Sequence, residues 1–504
     1  MAAAFAASPA AAEWHEATST HFVVYSDDTV ERLTDFTTNL ERFDRTMRYL
    51  RQVPDVTTPA QRVTVYVVRN IGAVAKLAGS SNVAGFYVPR VQGSVAFVPR
   101  SGSDGGQTEL SATAILQHEY AHHFMFDTWG GAVLPTWFVE GFAEFNAPTR
   151  VTGDKMTVGV PPLYRVYGIL DTASLPMKEL LTRSPDDDRM TDQKTQTFYG
   201  RAWLLTHYLS FDRDRAGLLD RYLAALNNGK GATEAAAVFG DLRKLDNDLD
   251  RYVRQRRLAA AGIPLDRLDI KPVTLRPLTA GEAASMPVRI RSTRGVDAKS
   301  APGVAVAARK VAASYPDDAR VQVVLAEAEY DCGRFQEADD AAARALTLDP
   351  KMTRAMMYRG MAQQAMAARD KVADPERWRL IRRWFTRVNA VDHDDPWPLV
   401  AFYFNYRAQG IAPPRNAEDG LLAAHVAARY DRGVALTAAM IQLQRNDLAE
   451  ARKALRTVAY DPHGGGMAAA ATKVLALLDV NDAKGAAAAL TNASDATEET
   501  DDQS

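Results

Sequence analysis

The spacing of apolar positions changes period along this chain, and each change marks a different element. His21-Phe22-Val23-Val24-Tyr25 and Val63-Thr64-Val65-Tyr66-Val67-Val68 are short runs rich in β-branched and aromatic residues, and both read as strands. Between them Leu33, Phe36, Leu40, Phe43, Met47 and Leu50 recur at alternating spacings of three and four, one apolar stripe down a helix. The pattern therefore predicts a β-α-β unit. Gly85-Phe86-Tyr87-Val88 and Gly93-Ser94-Val95-Ala96-Phe97-Val98 predict a further strand pair, and the loop Ser101-Gly102-Ser103-Asp104-Gly105-Gly106 leads into a helix. A hairpin is expected around Thr152-Gly153-Asp154-Lys155. A mainly helical stretch follows to about Ala261 and includes an amphipathic helix over Phe198 to Tyr208. Residues from Ile270 to Val296 are richer in Pro, Thr, Val and Arg and read as a short β-containing connector.

Past the connector the helical period continues with small residues placed between the large ones. Leu325-Ala326, Tyr330, Gly333-Arg334-Phe335, Glu337-Ala338, Ala345-Leu346 and Leu348-Asp349-Pro350 together resemble a tetratricopeptide repeat. Degenerate copies end near Asp395-Pro396 and Asp461-Pro462. Helix pairs that cannot bury their faces singly stack into a solenoid, whose concave groove commonly binds a peptide or partner protein. The other reading is a rigid appendage without a partner. The arginines of Trp378 to Arg387 alternate with Leu, Ile, Trp and Phe, which reads as an amphipathic repeat helix with a solvated basic face. Asn492 to Ser504 is polar and acidic and reads as a disordered tail.

Composition narrows the class. A chain of 504 residues suggests about three domains, and 47% hydrophobic against 24% charged residues is a globular balance. The net charge of −2, from 60 basic and 62 acidic residues, gives no reason to expect nucleic-acid or anionic-membrane binding. Cys332 is the only cysteine, so neither an intrachain disulfide nor a cysteine zinc site is available. No segment approaches the roughly 18–20 apolar residues of a transmembrane helix. Met1 to Ala12, MAAAFAASPAAA, looks like the cleavage end of a secretory signal but lacks a basic n-region. That predicts a periplasmic or secreted protein; a disordered tail on a cytoplasmic one is the alternative.

One stretch carries chemistry. His118-Glu119-Tyr120-Ala121-His122 places two histidines four positions apart, on one face of a helix, where both imidazoles can aim at one metal ion. Glu119 projects about 100° round the helix, off the ligand face but within reach of a water there. Gly130-Gly131 ends the helix and Pro135-Thr136-Trp137 begins another, which carries Trp137-Phe138-Val139-Glu140-Gly141-Phe142-Ala143-Glu144. Glu140 lies 18 positions past His122 (140 − 122) and shares a face with Glu144. If the second helix folds back on the first, Glu140 completes a two-histidine, one-carboxylate zinc site with an open fourth position. His123 points away from this site and reads as a packing or supporting residue. His15, His21, His393, His425 and His463 have no partner pattern.

This pair of motifs resembles the gluzincin metallopeptidases, the group that includes thermolysin and aminopeptidase N. It is most like a set of bacterial "peptidase MA-like" proteins that join such a domain to tetratricopeptide repeats. The resemblance covers roughly Trp14 to Leu209. It implies that His118, His122 and Glu140 bind Zn2+, that Glu119 is the general base, and that Glu144 orients a ligand histidine. It further implies that Gly93 to Val98 is the edge strand that receives substrate, an ordinary hairpin being the alternative. Tyr199, or else His207, would donate a hydrogen bond to the oxyanion; packing of that helix is the alternative for Tyr199.

The expected fold is an α+β zincin-like metallopeptidase domain followed by an all-α tetratricopeptide-type solenoid. Residues 1–12 are a signal remnant or tail, 13–262 the peptidase domain, 263–300 a connector, 301–491 the solenoid and 492–504 the acidic tail. The expected function is zinc-dependent cleavage of a peptide or protein substrate. Nothing before His118 resembles the Gly-x-Met-Glu-Asn motif of aminopeptidase N relatives, which favours internal cleavage. The alternatives are a catalytically inactive gluzincin-like module in a repeat-based interaction scaffold, and a metal-free scaffold.

Overall fold

A computed structural model describes residues 13–80, 83–100, 111–171, 175–182 and 190–501, with side chains described up to 492. The signal-like Met1 to Ala12 and the loop of residues 101–106 lie outside the described residues. The chain is mainly helical, with a mixed sheet in its N-terminal part and a long run of helices in its C-terminal part. Among the described residues no helix is long and apolar enough to cross a membrane.

The expected β-α-β unit is present. Strand β1 (His15–Thr18) precedes β2 (Phe22–Ser26), α1 (Val30–Arg51) and β3 (Val63–Val68). Thr29 caps α1 by accepting a hydrogen bond from the Arg32 amide, and Leu33, Leu40, Phe43 and Met47 are buried. After α2 (Ile71–Ala78) come β4 (Phe86–Val88) and β5 (Val95–Pro99). A later strand, β9 (Thr274–Pro277), completes a six-stranded sheet in the order β4-β5-β3-β2-β1-β9. Strands β2, β3 and β5 run parallel to one another, and β4 pairs antiparallel with β5.

Two expectations are corrected here. Gly93 to Val98 is not the edge strand, because β4 covers it. All of β5 is buried whereas β4 is half-buried, as their positions inside the sheet and at its rim require. Residues 263–300, read as a β-containing connector, hold a helix as well as the expected strand and pack into the N-terminal part. Strand β8 (Ala261–Pro264) joins the hairpin of β6 (Arg150–Thr152) and β7 (Lys155–Val158). Strand β9 pairs with β1, and α6 (Ala280–Arg294) packs Met286 and Ile290 onto Tyr25, Tyr66 and Phe97 of the main sheet. The other sheet face packs on α1 and on α3 (Ala112–Trp129).

Helix α3 starts at Ser111, whose hydroxyl accepts from the Ala114 amide, and ends at the expected glycine pair. Helix α4 (Thr136–Asn146) begins after Pro135 and turns back against α3 and against α5 (Asp192–Phe211). Trp137, Phe138, Val139, Phe142 and Phe145 of α4 are buried. The closest approach is at Gly141: a Cβ there would stand 2.5 Å from the Ala202 carbonyl oxygen and nearer still to the Thr206 hydroxyl. The glycine of the second motif is therefore a spacing residue that lets α4 lie on α5.

From Ala301 the helices follow one another through short turns: Ala301–Ser314, Ala319–Asp331, Phe335–Leu348, and so on to Ala483–Asp501. Consecutive helices pack together, as in a helical solenoid. Alanines such as Ala308, Ala326, Ala341, Ala342 and Ala345 are buried where helices meet. The basic stretch at 378–387 lies on one amphipathic helix, with Trp378, Ile381 and Phe385 buried. The last helix extends to Asp501, across most of the stretch expected as a disordered tail; its Ala- and Glu-containing sequence suits a helix.

These helices return to the N-terminal part. The Thr457 hydroxyl donates to the Gly130 carbonyl at 2.8 Å, the Gln61 side-chain Nε2 donates to the Ala427 carbonyl at 2.9 Å, and the Val91 backbone amide donates to Asp431 at 2.7 Å. Gly141→Ala tests the packing that sets α4 in place. Overpacking costs about 1–3 kcal/mol, so urea denaturation should show a loss in that range. An unchanged midpoint would mean that α4 and α5 are not in this close contact.

Candidate metal centre

Helices α3 and α4 bring three of the expected residues to one point. The Nε2 atoms of His118 and His122 are 3.0 Å apart, and Glu140 Oε2 lies 3.4 Å from the first and 3.5 Å from the second. These three side chains could hold a metal ion. Zinc bonds of about 2.0–2.1 Å in tetrahedral geometry put ligand atoms roughly 3.3 Å apart, so the spacing fits that ion. Glu140 is fully buried, and neither of its oxygens has a hydrogen-bond partner among the described residues. A buried carboxylate in that condition is costly unless a cation completes it. Burial pushes the Glu140 carboxyl up, and the two imidazoles more than reverse this, holding it well below the carboxylate range. Burial likewise pulls His118 down, but Glu140 and Glu144 raise it to about 9.

Glu144 stands beside this group. Its Oε1 is 3.6 Å from His118 Nδ1, on the ring edge opposite the converging Nε2. What holds Glu144 is not visible in the sequence. Arg165 does, donating from Nε at 2.9 Å and placing Nη2 at 2.7 Å from the same oxygen in an ion pair. The Arg165 guanidinium also lies over the Tyr199 ring at 4.6 Å. Tyr199 is thus joined to the site through Arg165 and Glu144. His207 is not placed for the oxyanion role. It is buried on α5, its Nε2–H donates to the Ala259 carbonyl at 2.9 Å and the Gly159 carbonyl at 3.1 Å, and Tyr252 donates to its Nδ1 at 3.0 Å. Burial lowers it to about 4, against the pull of those carbonyls, so it is a neutral structural imidazole.

Glu119 points off the ligand face, as its position predicts, into a cavity of about 330 Å³. Edge strand β4 forms one side of this cavity, with Phe86 and Tyr87, and His122 lies at its base. His463, which showed no partner pattern, brings Nε2 to 3.8 Å from Glu119 Oε2. His123 supports the helix: Tyr87 donates to its Nδ1 at 2.7 Å, and burial, with Arg48 and His21, lowers it to about 3.

A second buried group, His21, Glu41 and Asp44, also has metal-like spacing. It already contains its own cations. His21 Nδ1 donates to Glu41 at 2.6 Å, Arg48 Nε donates to Asp44 at 2.8 Å, and His21 Nε2 lies 3.2 Å from both Asp44 and Asp55. Tyr120, inside the histidine motif, donates to Asp44 at 2.9 Å. This network ties α1 to α3 and braces the motif helix from behind.

No family model matches the chain, and no curated protein matches it.

The ligand set predicts one metal ion per chain, and alanine at His118, His122 or Glu140 should release it, as read by elemental analysis. Arg165→Ala leaves Glu144 buried without its cation. Removing one partner of a buried pair costs about 3–5 kcal/mol, so the variant should unfold at a lower denaturant concentration. Metal affinity should fall by about 10–100-fold, because Glu144 would no longer be held beside His118. Unaltered metal affinity in a folded Arg165→Ala protein would show that Glu144 does not support the site.

Proposed function

We propose that this protein is a zinc-dependent peptidase of the gluzincin type, with Glu119 as general base, and that it cleaves within peptide chains. The observation that carries this reading is the convergence of His118, His122 and a hydrogen-bond-starved Glu140, with Glu119 beside them at a cavity. Bound zinc would supply Lewis acidity, polarising a carbonyl and making water a nucleophile near neutral pH.

The chain's own residues supply the proton transfers. Glu119 accepts a proton as the water oxygen bonds to the carbonyl carbon. It then returns the proton to the amide nitrogen as the C–N bond breaks, which leaves a carboxylic acid and an amine; the acid's proton then passes to the amine, giving carboxylate and ammonium. Among the described residues β4 is the edge of the sheet and it lines the same cavity, so an extended peptide can pair with it and lie across Glu119. A strand-paired substrate continues past the site in both directions, which supports internal cleavage. Tyr199, joined to Glu144 through Arg165, would donate a hydrogen bond to the oxyanion.

An interaction scaffold with an inactive site is the second reading. The helical repeats favour it, and a retained Glu119 in the ligand-bearing helix speaks against it. Glu119→Gln decides between them, because it keeps the shape and removes the base. Zinc content and folding should be those of wild type, while kcat on a mixed peptide library should fall by roughly 10²–10⁴-fold. Equal rates for the two proteins would refute the general base. Wild-type protein that holds zinc and cleaves no peptide would favour the scaffold.

A further inference from the structure

Among the described residues, the N-terminal part of the chain walls the cavity beside Glu119 on one side. Its remaining wall comes from the C-terminal helices, through Tyr430, Arg432, Asp461 and His463. His463 stands in the turn between the helices Leu448–Ala459 and Gly465–Asp479, 344 positions beyond Glu119 (463 − 119). That turn is fixed. The His463 amide donates to Asp461 Oδ1 at 2.8 Å, and Arg432 Nη1 donates to the His463 carbonyl at 2.5 Å. Arg432 also lies 3.4 Å from Asp461 Oδ2. The preceding helix is seated on the end of α3 by the bond from Thr457 to Gly130 and by Arg456, which donates to the Gly131 carbonyl at 3.3 Å. The helix that carries His118, Glu119 and His122 is thus gripped at its C-terminal end by the same helices that present His463.

The side chain of His463 is 53% exposed and faces the cavity. Its ring meets that of His122 edge-on, with centroids 5.6 Å apart. The 3.8 Å between His463 Nε2 and Glu119 Oε2 is too long for a hydrogen bond. It is, however, the separation at which one oxygen atom can bond to both groups, since each such bond is about 2.7–3.0 Å long. Glu119, an acceptor, can take a hydrogen from that oxygen. A neutral imidazole can donate Nε2–H to it.

We propose that the helical repeat part is one half of the catalytic cavity, and that His463, which it carries, is a catalytic residue. His463 donates a hydrogen bond to the reacting oxygen that Glu119 deprotonates and that becomes part of the tetrahedral species. This rests on the peptidase reading above and adds to it. The repeats do more than recruit a partner at a distance, because the substrate reacts between them and β4.

The test compares His463→Ala, His463→Gln and Glu119→Gln in the full-length protein. His463 is exposed and Glu119→Gln keeps the side-chain shape, so all three should fold, and zinc content should be equal in all. His463→Ala should lower kcat by about 100-fold with little change in KM, as for loss of one donor to the reacting oxygen. His463→Gln, which restores a donor, should recover most of the rate. A second readout does not use turnover. Diethyl pyrocarbonate should modify His463 in wild-type protein, as mapped by mass spectrometry, and a phosphinic tetrapeptide should block the modification. Full activity of His463→Ala beside an inactive Glu119→Gln would overturn the role of His463 and leave the peptidase reading intact. Modification of His463 unaffected by the phosphinic peptide would likewise overturn it. Full activity of Glu119→Gln would overturn the peptidase reading, and this proposal with it.

Discussion

A buried carboxylate without a hydrogen-bond donor is the constraint on which the rest of this structure turns. Glu140 has no solvent exposure, and both of its oxygens lack a hydrogen-bond partner among the described residues. Taking such a charge out of water costs several kcal/mol even after relaxation, so a fold retains it only where something compensates. Two imidazole nitrogens at 3.4 and 3.5 Å are the nearest means of doing so. A divalent cation among the three would do it fully. The surrounding packing keeps this arrangement in place: Gly141 lets α4 lie on α5, Tyr120 fixes α3 to Asp44, and Arg165 secures Glu144 behind His118.

The second constraint is how the two parts of the chain interlock. Residues that the sequence assigns to a connector complete the main sheet through β9 and cover one of its faces through α6. Farther on, the repeat helices dock on the end of α3 and at Val91, beyond β4. The sheet, the helix that carries His118 and His122, and the C-terminal helices therefore share one framework.

What was legible in the sequence was local. The i, i+4 spacings of His118 with His122 and of Glu140 with Glu144, the stripe of α1 and the turn glycines of α3 depend on neighbours within a few residues. They stand where periodicity puts them. What was missed depends on distant partners. The run from Gly93 to Val98 reads as a strand, but its place inside the sheet is set by β4 on one side and β3 on the other. Its uninterrupted apolar character was the available sign of an interior strand. The pairing of β9 with β1 spans the whole N-terminal part, and nothing in Thr274 to Pro277 announces it. His207 looked available for chemistry because sequence does not show that two backbone carbonyls and Tyr252 occupy both of its nitrogens. Arg165 and His463 gave no sign for the same reason, since each finds its carboxylate only in the folded chain.

The central claim is that His118, His122 and Glu140 are the ligands of one zinc ion, and X-ray absorption at the zinc edge tests it most directly. Protein from metal-replete expression should contain about one zinc per chain. Its spectrum should show two imidazole nitrogens and carboxylate oxygen at roughly 2.0–2.2 Å, with four ligands in all. A spectrum without imidazole scattering, or protein that takes up no zinc, would contradict the account.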